Sequence, residues 1–139
     1  VEATIPGVEP WSAEQPNLRG VRVVLVDDTG IDRDALSLRV GFRRVEVRGL
    51  DLLVNGRRVF IRGVNRHDFD RRTGRVIARD DMRADLVQMK RFGFNAVRTS
   101  HYPNDPAFLD LCDKLGLYVI GEADRLGLFV VGLPPERSP

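Results

Sequence analysis

Hydrophobic and polar positions follow two different rhythms along this chain. Up to about residue 60 the pattern is strand-like. Val21-Arg22-Val23-Val24-Leu25-Val26 is apolar and rich in β-branched residues, and Asp27-Asp28-Thr29-Gly30 behind it has turn chemistry. Leu38-Arg39-Val40-Gly41-Phe42-Arg43 and Val45-Glu46-Val47-Arg48 alternate with a period of two. Leu52-Leu53-Val54 and Val59-Phe60-Ile61 flank Asn55-Gly56, a pair able to adopt the positive φ angles of a type I′ hairpin turn. This half reads as antiparallel β structure that ends in a hairpin.

Beyond residue 60 the rhythm becomes strand–helix–strand. Phe60 to Val64 reads as a strand that runs into Asn65-Arg66-His67. Residues 81–92 put Met82, Leu86, Met89 and Phe92 on one helical face, with Asp80 as the expected N-cap and Gly93 as the stop. Asn95 to Thr99 is a second strand. Pro106 to Leu115 is a second helix, with Phe108, Leu109, Cys112 and Leu115 inward and Gly116 closing it. Leu117-Tyr118-Val119-Ile120 is a fully apolar third strand, as expected where a parallel sheet is covered on both faces. The order β-α-β-α-β predicts such a sheet. Pro-rich residues 132–139 read as a frayed tail.

The polar residues gather where those strands end. Asn65, Arg66, His67 and Asp68 follow the first, Arg98, Thr99, Ser100, His101, Tyr102 and Asn104 the second, and Glu122 and Asp124 the third. The C-terminal ends of parallel barrel strands are where active sites form. Both histidines of the chain lie there, although each also has a plainer reading. His67 suits a surface loop beside Asp68, and His101 suits a hydrogen bond to a carbonyl under the Tyr102-Pro103 turn. Arg98 follows an apolar strand and needs a carboxylate partner. Pairing with Glu122 across neighbouring strands and a role in a site are both open.

Composition narrows the field. The 139 residues suit one ordinary domain, whereas a full (β/α)8 barrel takes about 250. Hydrophobic residues, at 42%, suffice for a core. No window approaches the ~20 apolar residues of a membrane helix. The net charge of +2 comes from 22 basic and 20 acidic residues spread along the chain, without the basic stripe of a nucleic-acid-binding module. The single Cys112 cannot form an internal disulfide, which fits a reducing compartment, and its apolar setting argues for a helix core position. His67 and His101 have no third ligand at zinc spacing, and no phosphate-binding glycine loop or Gly-x-Ser-x-Gly elbow occurs.

One long segment carries a resemblance. Asn95-Ala96-Val97-Arg98-Thr99-Ser100-His101-Tyr102-Pro103, with Phe108-Leu109, Asp113 and Gly116-Leu117-Tyr118-Val119-Ile120, closely resembles the first signature of glycoside hydrolase family 2. Arg62 to His67 resembles that family's first barrel strand. Pro10 to Leu18 resembles the start of the last strands of the immunoglobulin-like domain that precedes the barrel. Arg66-His67-Asp68 and Leu111-Cys112-Asp113 look more like the large bacterial β-galactosidases than like the β-glucuronidases or mannosidases.

The resemblance covers roughly residues 8–124. It implies an α/β chain in three parts: 1–48, the C-terminal strands of an immunoglobulin-like β-sandwich; 49–125, the first three βα units of an incomplete TIM barrel; and 126–139, a divergent tail. It implies a fragment of a retaining enzyme that hydrolyses terminal β-D-galactose residues. Such enzymes use an acid/base and a nucleophilic glutamate about 5–5.5 Å apart. Both would fall beyond this chain, so no catalytic residue is expected in it and the isolated chain is expected to be inactive. His67 and His101 match histidines that contact the sugar hydroxyls and stabilise the transition state, and Arg98 matches an arginine that orients the carboxylate region.

The family uses magnesium, held by a Glu and a His whose matching positions here are Leu126 and Leu128, so no cofactor is expected in this chain. Asp124 stands where the family has Asn, and Gly121 where it has Asp. From about Arg125 the resemblance lapses, which suggests a frameshift, a truncated reading or a pseudogene remnant. The start at Val1, without Met or a signal-like region, is read as lying inside a longer cytoplasmic protein. The partner implied is a β-galactoside, with no nucleic acid or membrane, and full-length members are homo-oligomers. A non-catalytic sugar-binding remnant and a β-glucuronidase-type member are the competing readings.

Overall fold

The computed structural model describes residues 5–122 and the strand Leu128–Val130. It contains two antiparallel sheets and one mixed sheet with two helices. β1 (Arg19–Val26) and β2 (Asp32–Val40) form a long hairpin, with Arg19 opposite Val40. The Asp27–Gly30 turn forms as its composition predicts, and Asp27 accepts main-chain N–H bonds from Thr29 and Ile31, both at 2.9 Å. β2 ends before Gly41, although the alternation in sequence runs on to Arg43. The reason is Trp11. A Cβ on Gly41 would lie 2.7 Å from Trp11 Cγ, and the Trp11 N–H donates to the Phe42 carbonyl at 2.8 Å. Residues 41–44 therefore serve as a seat for the indole and leave the ladder.

β3 (Val45–Arg48), β4 (Asp51–Val54) and β5 (Arg57–Arg58) make the second sheet. Asn55 at φ 52° and Gly56 at φ 75° supply the left-handed pair that the hairpin turn requires. The return strand is Arg57-Arg58 and not the expected Val59-Phe60-Ile61, which lies beyond it with Phe60 exposed. The expected boundary between residues 48 and 49 falls in the tight turn between β3 and β4, so one sheet carries both of its sides.

β6 (Gly63–Arg66), β7 (Ala96–Thr99) and β8 (Tyr118–Glu122) are parallel neighbours, and β9 (Leu128–Val130) pairs antiparallel with β8. β6 begins three residues later than the sequence pattern predicts. Asn95 explains the shift: its side chain accepts from the Arg62 N–H at 2.8 Å and donates to the Phe60 carbonyl at 2.9 Å. Residues 60–62 are thus held by an amide side chain, and the ladder starts where Gly63 meets Ala96.

α1 (Arg79–Arg91) and α2 (Pro106–Leu115) connect the parallel strands. α2 has the bounds its caps predict. Asp105 accepts from the Ala107 N–H, Pro106 opens the first turn, and Gly116 ends the helix at φ 76°. α1 departs from expectation at both ends. Ala78 is its N-cap and makes no side-chain cap, whereas Asp80 sits inside the first turn beside Asp81, where the helix dipole favours negative charge. Phe92 is the C-cap and points to solvent, because the chain leaves the helix there and turns at Gly93 (φ 78°). Met82 and Leu86 do face inward. With Val97, Phe108, Leu111, Cys112 and Leu117 they form the core between the helices and the parallel sheet, and Ile77, Met89, Leu109, Leu115 and Val119 pack around it. Burial pushes the Cys112 thiol up to about 12, as a core residue requires. Among the described residues no helix is long and apolar enough to cross a membrane.

Candidate functional site

Three parallel strands end side by side, and the register sets which side chains meet there. Asn65 lies opposite Arg98, Arg66 opposite Thr99, and Arg98 opposite Ile120. Residues one step apart face opposite sides of a sheet. Arg66 accordingly turns into the core side, where its guanidinium stacks 4.6 Å from the Phe108 ring and pairs with Asp68 and Asp85. Arg98 faces the other way and pairs with Glu122, the last residue of β8, while its second nitrogen lies 3.5 Å from Asn65 Oδ1.

Glu122 joins two of the candidate residues. One carboxylate oxygen accepts from Arg98, and the other lies 3.0 Å from His101 Nδ1. Its main-chain N–H donates to Thr99 Oγ1 at 3.3 Å. The carboxylate is only 13% exposed, against 35% for the Arg98 side chain and 66% for His101. Partial burial alone would raise its pKa. Hydrogen bonds from Arg98 and His101, with their charges, outweigh burial and hold the carboxyl below the ordinary glutamate value.

His67 completes the group. Its ring meets that of His101 edge-on, with centroids 5.3 Å apart, and lies 6.2 Å from Tyr102. The loops after β6 and β7 are tied beneath the rings. The Asp68 N–H donates to the Tyr102 hydroxyl oxygen at 2.7 Å, Asn104 donates to Asp68 at 2.9 Å, and Arg75 covers the Tyr102 ring at 5.5 Å.

The three residues selected from sequence, His67, Arg98 and His101, therefore stand together at one end of the parallel sheet. The alternatives left open for Glu122 resolve as the pairing with Arg98, and that pairing also reaches His101. Glu122, expected from sequence as a partner for Arg98, also joins the site through His101, and Tyr102 joins it through its loop contacts. The available signal was an acidic residue ending an apolar strand that neighbours a strand carrying Arg98. The partners of Tyr102 are set by loop geometry that has no spacing signature.

Of the two positions matched to the family's magnesium ligands, Leu126 lies outside the described residues and Leu128 is in β9. Neither leucine has a donor atom, and among the described residues no group of three or more His, Cys, Asp and Glu side chains could hold a metal ion. The described residues offer no donor set that fits a magnesium site.

The family described as glycosyl hydrolases family 2, TIM barrel domain, matches residues 45–133, beyond the point near Arg125 where resemblance by residue lapses. The chain is 47% identical over 117 residues to a β-galactosidase of Streptococcus thermophilus, covering 84% of this chain and 11% of that protein. It is 52% identical over 116 residues to a β-galactosidase of Alteromonas mediterranea, covering 82% of this chain and 11% of that one. The chain thus spans about a ninth of the curated relatives it matches. Among solved structures, a family 2 β-galacturonidase from Eisenbergiella tayi bound to galacturonate superposes with a TM-score of 0.80 at 41% identity, over 86% of this chain and 21% of that one. A Bifidobacterium dentium β-glucuronidase complexed with coumarin-3-O-glucuronide superposes with a TM-score of 0.82 at 29% identity, over 86% and 20%.

Proposed function

The chain belongs to glycosyl hydrolase family 2, and from that premise we propose that it is a segment of a retaining β-galactosidase, active only within a longer chain. The observation that supports this reading is the edge-on pair of His67 and His101 at the C-terminal ends of adjacent parallel strands. Imidazole nitrogens at that position can donate to or accept from sugar hydroxyls. Such bonds tighten as positive charge develops at the anomeric carbon and can lower the barrier by several kcal/mol. Arg98, fixed by Glu122, would orient the carboxylates supplied by the rest of the enzyme. The glutamates of the double displacement lie outside this chain in this reading, so its residues bind and orient but do not attack the substrate.

The domain reading accompanies it. Residues 1–48 would be the last strands of an immunoglobulin-like sandwich, 49–125 the first three βα units of the barrel, and 126–139 a divergent tail. A β-galactoside is the proposed substrate, the proposed location is cytoplasmic and the proposed assembly a homo-oligomer. Uronate-acting structures are also near in fold. The identities of 47% and 52% to β-galactosidases favour the neutral sugar.

The test is to exchange residues 8–124 for the matching segment of the Streptococcus thermophilus β-galactosidase and to assay β-galactosides, β-glucuronides and β-galacturonides. Activity on β-galactosides that falls about 100-fold or more in His101→Ala supports the reading. A folded chimera selective for a uronide, or silent on all three, overturns it.

A further inference from the structure

We propose that Glu122 is a positioning residue that sets the tautomer of His101, holding a proton on Nδ1 so that Nε2 is the ring nitrogen presented to a sugar hydroxyl. The choice of sugar rests on the galactosidase reading, while the tautomer rests on geometry alone.

An ionised carboxylate accepts hydrogen bonds and cannot donate them. Glu122 offers one oxygen to Arg98 and the other to His101 Nδ1 at 3.0 Å. For that second contact to be a hydrogen bond, Nδ1 must carry the proton. The neutral ring then has Nε2 free as an acceptor, and the protonated ring has Nε2–H free as a donor. Either form engages a hydroxyl group, which both donates and accepts.

The surroundings keep Glu122 in the acceptor role. Arg98 is a permanent cation on its other oxygen, and the Glu122 main chain is anchored to Thr99. The exposure gradient, from 13% at Glu122 to 66% at His101, leaves the carboxylate largely covered and most of the imidazole side chain in solvent. Among the described residues His67 also faces His101, its ring edge-on at 5.3 Å. His67 has no carboxylate contact of this kind among the described ion pairs, so the two histidines differ in what fixes their protons.

The chain has two histidines, so imidazole 15N spectra of the sugar-free chain resolve them directly, with His67→Gln providing the assignment. The tautomers are read from spectra recorded at about pH 9, where an ordinary imidazole is neutral. The expected result is the Nδ1–H form at His101. In Glu122→Gln, Arg98 retains the amide oxygen, the amide NH2 faces Nδ1, and His101 switches to the Nε2–H form. Glu122→Asp keeps a carboxylate and keeps the Nδ1–H form.

An Nε2–H tautomer in the unmodified chain overturns the proposal, as does a tautomer unchanged by Glu122→Gln in a variant that melts cooperatively. If Glu122→Gln does not fold, the unmodified chain and Glu122→Asp decide the matter. Since no sugar is present, failure here leaves the galactosidase reading standing. A chimera inactive on galactosides likewise leaves the tautomer standing.

Discussion

Trp11 donates from its indole nitrogen to the main-chain carbonyl of Asp113 at 2.8 Å, joining residues 102 apart in sequence. The indole is almost fully buried, meets Tyr118 edge-on at 5.6 Å and lies under the Arg43 guanidinium at 4.8 Å. This contact fastens the N-terminal segment to α2 and β8. Trp11→Ala is expected to cost about 3–5 kcal/mol. Trp11→Phe keeps much of the ring but leaves the Asp113 carbonyl without its donor, for about 1–3 kcal/mol. Urea midpoints followed by far-ultraviolet circular dichroism check both, since Trp11 is the sole tryptophan and fluorescence is lost with it.

A second fastening lies close by. Gly116, at φ 76°, packs against the Ala13 carbonyl so closely that a Cβ has no room, and Lys90 Nζ donates to the carbonyls of Ala13 and Gly116 at 2.7 and 2.9 Å. Gly116→Ala therefore combines a left-handed backbone with a steric clash and is expected to destabilise by at least about 2 kcal/mol. Lys90→Met leaves two carbonyls unpaired, for about 1–3 kcal/mol. Thermal melts of the two variants measure these losses.

How far the sequence foretells these features depends on the range of the interaction. α2 is legible because Asp105, Pro106 and Gly116 are local signals acting on adjacent backbone. The Asn55-Gly56 turn is legible for the same reason. The start of β6, the end of β2 and the outward Phe92 are not, because Asn95, Trp11 and the turn at Gly93 override a pattern that continues on paper. At the site, the strand-end positions of His67, Arg98 and His101 follow from element order. The bridge through Glu122 depends on strand register, which only the folded sheet reveals.

Arg66 is the most demanding charge in the fold. Its side chain is 5% exposed, and it pairs with Asp68 and Asp85 over the face of Phe108. Removing one partner of a buried pair leaves the other uncompensated, so Arg66→Ala is expected to cost about 3–5 kcal/mol. Asp68→Asn in the same chain relieves part of that penalty. A double-mutant cycle on chemical denaturation should show coupling of about 0.5–3 kcal/mol between the two sites. Additive losses would mean that the Asp68 pairing contributes nothing, leaving Arg66 to act through Asp85 and its packing on Phe108.

Asp27 gives the β1–β2 hairpin a defined dependence on pH. The Thr29 hydroxyl, the Ile31 amide, the Arg33 side chain and the Thr29 amide all donate to its carboxylate, and against the opposing effect of burial they hold its pKa at about 2, below the ordinary 3.8. A carboxyl whose folded pKa is depressed binds fewer protons folded than unfolded between those values. Its stabilisation is therefore fully present above about pH 4 and is lost as pH falls toward 2. Carboxyl 13C titration should place the Asp27 midpoint near 2, and amide exchange at Ile31 should accelerate over the same interval. Asp27→Asn should abolish that acid-induced acceleration and loosen the turn at neutral pH, because an amide keeps one acceptor oxygen but loses the charge that Arg33 pairs with at 2.5 Å. A midpoint at the unperturbed value, with exchange at Ile31 indifferent to acid, would show that the turn is held by its backbone alone.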